Sequence, residues 1–141
     1  MNAPLLSVDA IETAYGTSQV LFGMSLAVQR GEVVTLIGRN AMGKTTTVKS
    51  ILGLLAPKAG RITMDGAAVH GKPAYLVARA GLGLVPEGRQ IFPNLTVREN
   101  LVATAGNRHG AREPWTIDTV YRMFPRLQER FDHLGAQLSG G

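Results

Sequence analysis

The sequence contains no cysteine. That absence removes disulfides, thiolate metal sites and a cysteine nucleophile from consideration. Aromatic residues are few, with one Trp, three Tyr and four Phe. No apolar run approaches the roughly 20 residues that a membrane-spanning helix needs. The opening stretch, MNAPLLSVDAIETAYG, has neither the basic start nor the long apolar core of a secretory leader. The cytoplasm is therefore the expected compartment. No Asn-Lys pair occurs, so the Asn-Lys-x-Asp guanine reader of a GTPase is missing. Acidic residues number 10 against 15 basic ones, for a net charge of +5. Such a surplus is compatible with a nucleotide, a nucleic acid or an anionic membrane surface. A soluble protein that happens to be basic explains it equally well.

What is present fits one domain. The 141 residues are 45% hydrophobic and 18% charged, with 17 glycines, enough to build a core. Leu5 to Ile11 and Val20 to Val28 read as strands, separated by the turn-like Gly16-Thr17-Ser18. The β-branched run Val33 to Ile37 has the pattern of a strand buried on both faces, and Leu82 to Val85 reads as a second buried strand. Val48, Ile51, Leu52 and Leu55 recur at helical spacing. Asp65-Gly66 marks a hairpin, and Pro73 to Ala80 a short helix. Thr96-Val97-Arg98-Glu99 fits a capping box. Pro114 suits a first helical position, with Ile117, Val120, Tyr121 and Phe124 on one face and Pro125 as its break. His70, His109 and His133 have no metal-ligand spacing and read as ordinary surface or loop residues.

Chemistry concentrates in GRNAMGKT, Gly38 to Thr45, which fits G-x-x-x-x-G-K-[ST] at every specified position. An apolar run precedes it and a helical pattern follows. In such a loop successive backbone N–H groups curl around phosphate oxygens, and glycine permits the sharp bends. The helix N-terminus adds positive potential. Lys44 reaches the β- and γ-phosphates, and the Thr45 hydroxyl reaches Mg²⁺. The competing reading is a glycine-rich turn with a surface lysine. On this loop alone a small-molecule kinase remains open. Asp132-His133-Leu134-Gly135 matches D-x-x-G, but no apolar strand leads into it, so chance is the better account.

Gly38-Arg39-Asn40-Ala41-Met42-Gly43-Lys44-Thr45-Thr46 resembles the Walker A loop of ABC transporter ATPases. Leu138-Ser139-Gly140-Gly141 resembles the start of that family's L-S-G-G-Q signature. The two motifs in this order, with a helical stretch between, are specific together. Val85 to Leu101, VPEGRQIFPNLTVRENL, is similar to the second ATPase subunit of branched-chain amino-acid importers (the LivF type). Urea-type importer subunits are close relatives that tend to carry Gln where this chain has Glu87.

The resemblance implies an α/β P-loop NTPase fold of the ABC ATPase type: parallel core strands, an antiparallel β subdomain and a helical subdomain. Residues 1–86 would form the β subdomain and P-loop core, and 87–141 the Q-loop and helical subdomain. It implies ATP and Mg²⁺ as ligands. Tyr15 would stack on adenine. Gly38, Arg39, Asn40, Ala41, Met42, Gly43, Lys44, Thr45 and Thr46 would cradle the phosphates. Lys44 and Glu87, at the Q-loop position, would serve catalysis, and Thr45 with Glu87 would meet Mg²⁺. Ser139, Gly140 and Gly141 would contact ATP bound to an opposite subunit. Tyr15 as a hairpin-turn tyrosine and Glu87 as a solvated residue after Pro86 remain alternatives.

The implied partners are a second ABC ATPase subunit, integral membrane permease subunits and, indirectly, a substrate-binding protein, with no nucleic acid. The chain would sit on the inner face of the plasma membrane, with Gly88 to Leu95 facing the permease. Ala41 stands where the family usually has glycine, so positive φ there would strain the loop. The family's Walker B Asp, catalytic Glu and switch His follow the signature. The chain is thus expected to be truncated at that motif and inactive without the Walker B half. A non-hydrolysing nucleotide-binding fragment is the rival reading.

Overall fold

The computed structural model describes residues 3–88, 90–107 and 110–139. The chain divides into two compact units, one up to Leu84 and one from Val85.

The first unit is built on an antiparallel sheet of order β2-β1-β3-β4. Strand β1 (Leu6–Tyr15) pairs with β2 (Ser18–Val28) from Leu6↔Val28 to Tyr15↔Ser18. The turn between them needs only Gly16 and Thr17, and Gly16 takes φ 58°. On its other edge β1 pairs with β3 (Ala59–Met64), which turns through Asp65-Gly66 into β4 (Ala67–Ala68). Asp65 and Gly66 both have positive φ, 48° and 77°, as a tight two-residue hairpin turn requires. Strand β1 bulges around Ala10, whose φ is 45°. A Cβ at Gly60 would lie 2.4 Å from the Ala10 carbonyl oxygen, so the bulge closes only over a glycine.

The core of this unit is Val8, Ile11, Leu21, Ile62, Val69 and Val77. Val77 comes from α2 (Ala74–Arg79), and helix α1 (Lys44–Ile51) packs beside the sheet. Helix α1 buries Thr46, Thr47 and Ser50, Ile51 packs half-buried against the core, and Val48 is exposed. Small hydroxyl side chains let the helix approach closely. Thr47 Oγ1 donates to the Gly43 carbonyl at 2.9 Å, and Ser50 Oγ to the Thr46 carbonyl at 2.9 Å.

The two apolar runs expected as parallel core strands do not pair among the described residues. Val33, Ile37 and Val85 are 92%, 91% and 95% exposed. A strand apolar on both faces gains nothing from its pattern until neighbouring strands take up its N–H and C=O groups.

The second unit holds α3 (Val97–Thr104), α4 (Ile117–Met123), α5 (Pro125–Glu129) and a 3₁₀ turn, Gly135–Gln137. The capping box forms: Thr96 Oγ1 accepts from the Glu99 N–H at 3.2 Å, and the Glu99 carboxylate accepts from the Thr96 N–H at 2.8 Å. Helix α4 begins later than Pro114 suggests, because Thr116 caps it through the Thr119 N–H. Pro125 ends α4 and also opens α5 as its first residue. The backbone from Phe131 to Ala136 lies along residues 93–98. Val97 donates to His133, Arg98 to Phe131, Gly135 to Leu95 and Ala136 to Pro93. Gly135 is needed there, since a Cβ would meet the Phe92 carbonyl oxygen at 2.6 Å.

Candidate functional site

The glycine-rich loop leads directly into α1. Gly43 is the helix N-cap, with φ 85°. A side chain there would be strained and would also strike Leu21 Cδ2 at 2.7 Å. The left-handed backbone thus favours the motif's second glycine. Ala41 has φ 63°, the left-handed region that disfavours any Cβ. Arg39, Asn40, Ala41 and Met42 are exposed, and the Met42 N–H turns back to the Arg39 carbonyl at 3.3 Å.

No side chain caps α1. Thr47 is the first helical residue whose N–H bonds back along the chain, to the Gly43 carbonyl at 2.8 Å. The N–H groups ahead of it are the unspent donors of a helix start, where an anion is stabilised by both hydrogen bonds and helix dipole. Lys44 adds a full charge. Its Nζ donates to the carbonyls of Gly38 at 2.5 Å and Arg39 at 2.8 Å, which use two of its three N–H donors. The ammonium is held at the loop it follows. This donor set fits a polyphosphate. Thr45 is exposed and Thr46 is buried, so of the two threonines only Thr45 is open to solvent.

Tyr15 ends β1 with 45% of its surface exposed. The Lys49 ammonium, from α1, lies 5.9 Å from the centre of its ring. The Thr13 and Ser50 hydroxyls, 3.0 Å apart and buried, join β1 to α1 next to this pair. Lys49, Thr13 and Ser50 were not legible as site residues, because their partners are distant in sequence.

In the second unit Glu87 is exposed, as are Ile91 and Phe92. Asn100, which no motif singles out, fastens the segment after Glu87. Its side-chain oxygen accepts from the Phe92 N–H at 2.9 Å, and its amide donates to the carbonyls of Phe92 at 3.0 Å and Leu95 at 3.2 Å. Ser139 is exposed and lines a cleft of about 320 Å³ with Arg126, Leu127, Arg130 and Leu138. Gly140 and Gly141 lie outside the described residues. So does His109. Among the described residues no cluster of His, Asp or Glu could hold a metal alone, and no helix is long and apolar enough to cross a membrane.

The pattern of the ABC transporter family matches residues 21–141. Over 139 residues the chain is 37% identical to the high-affinity branched-chain amino acid transport ATP-binding protein BraG of Pseudomonas aeruginosa, covering 97% of this chain and 59% of that protein. It is 36% identical over 143 residues to the Nod factor export ATP-binding protein I of Paraburkholderia xenovorans, covering 100% of this chain and 46% of that protein. A solved structure of the ATP-binding subunit of an ABC transporter superposes with a TM-score of 0.78 at 30% identity, covering 96% of this chain and 56% of that one. The chain therefore spans about half the length of the relatives it matches. On the family pattern, the relatives and the shared fold together, the chain belongs to the ABC transporter family of ATP-binding proteins.

Proposed function

We propose that the chain binds ATP at residues 38–46, as part of the ATP-binding subunit of an ABC importer for branched-chain or related amino acids. One observation carries the ATP reading: an uncapped helix N-terminus meets a lysine ammonium held at the same glycine-rich loop. Backbone N–H groups from Gly43 onward would surround the phosphates, and Lys44 would neutralise their charge. Tyr15 would carry the adenine ring. Mg²⁺, when bound, supplies further charge neutralisation on the phosphates. Thr45, exposed at the start of α1, is suited to meet it.

The importer assignment rests on BraG, whose name specifies branched-chain amino acid transport and of whose length the chain covers 59%, against 46% for the Nod factor exporter. In this reading a second ATPase subunit completes the ATP sites through Ser139, Gly140 and Gly141, and permease subunits hold the assembly at the cytoplasmic face of the membrane. Vesicles carrying the assembled transporter test it. ATP-driven accumulation of labelled leucine, abolished by Lys44→Ala, is expected. ATP-driven extrusion instead would assign the chain to an exporter.

A further inference from the structure

The loop 38–46 accounts for phosphate recognition but leaves the Tyr15 ring with a neighbour that phosphate binding does not use. Lys49 projects from the last turn of α1, and its Nζ stands 5.9 Å from the ring centre. No hydrogen bond or ion pair engages that ammonium among the described residues. A cation at this distance from an aromatic face is attracted by the ring quadrupole. The register that brings the two together is fixed from below. Ser50, the next residue after Lys49, is bonded to Thr13, which precedes Tyr15 by two positions.

We propose that Lys49 is a positioning residue for the nucleotide base. It holds the Tyr15 ring from one side and leaves the exposed remainder as the stacking platform. A cation on one face also draws electron density from the ring, which favours an aromatic base on the other. The inference rests on the ATP reading above, and it makes Lys49 act on the base and not on the phosphates.

The test measures ATP and inorganic tripolyphosphate affinity by calorimetry on the purified protein and its Lys49→Met and Lys49→Arg variants. Lys49→Met is expected to weaken ATP binding about two- to fivefold, the size of an exposed cation–π contact. Lys49→Arg should keep ATP affinity near wild type, and neither change should alter tripolyphosphate affinity. In a Tyr15→Ala background, Lys49→Met should have no further effect. Equal weakening of ATP and tripolyphosphate, or unchanged ATP affinity in Lys49→Met, overturns the proposal. A wild-type protein that binds neither ligand overturns the ATP reading itself, and this inference with it.

Discussion

Thr13 on β1 and Ser50 on α1 share a buried hydroxyl pair, Oγ to Oγ 3.0 Å. Ser50 spends its own proton on the Thr46 carbonyl at 2.9 Å, so Thr13 is the donor and Ser50 accepts. Removing Ser50 therefore strands a buried donor. Ser50→Ala should destabilise the protein by about 1–3 kcal/mol. Thr13→Val should cost less, because Ser50 keeps its bond to Thr46. The double variant should be more stable than the sum of the two single losses implies. Denaturant unfolding of all four proteins checks this, and simple additivity would remove the bond as the link between helix and sheet.

Ala41 holds a left-handed backbone, φ 63°, at a strain of about 1–2 kcal/mol. Ala41→Gly relieves that strain but adds freedom to the unfolded chain, worth roughly 0.4–1 kcal/mol. The second partly offsets the first in stability. Nucleotide affinity is expected to stay unchanged or rise, since a relaxed loop curls more easily. A several-fold loss of affinity in titration calorimetry would mean that the alanine conformation is itself required.

Glu99 closes the capping box of α3. The Thr96 backbone N–H, and after it the Thr96 hydroxyl, hold its carboxyl below the ordinary glutamate value. A depressed carboxylate supports the folded state above its unfolded pKa, and that support fades as pH falls through the lower folded value. The Thr96 amide resonance should therefore titrate with a midpoint below the ordinary glutamate range. In Glu99→Gln that titration should vanish. A midpoint at or above the ordinary value would contradict the box geometry.

What could be read in advance was local. Asp65-Gly66 specifies its turn by the positive φ both residues accept, and Thr96 with Glu99 specifies a helix start within four positions. The loop Gly38 to Thr45 was legible for the same reason: Lys44 bonds the carbonyls of Gly38 and Arg39, within six positions of itself. Pairing was not legible. Val33 to Ile37 has a strand's pattern and no strand partner among the described residues, because pattern cannot supply a neighbour. The burial of Ser50 was not legible, since its bonding partner Thr13 lies 37 positions away. Asn100 likewise does its work on Phe92 and Leu95, through side-chain contacts that helix periodicity does not register. Pro125 was read as an end and proved also a beginning.

The central claim is that the glycine-rich loop and Lys44 form a triphosphate site. Titration of ATP with Mg²⁺ into the purified protein and into Lys44→Ala, each shown folded by circular dichroism, tests it most directly. Saturable binding by the wild type, with heat lost in the folded variant, is the predicted result. Equal ATP affinity in both proteins would contradict it.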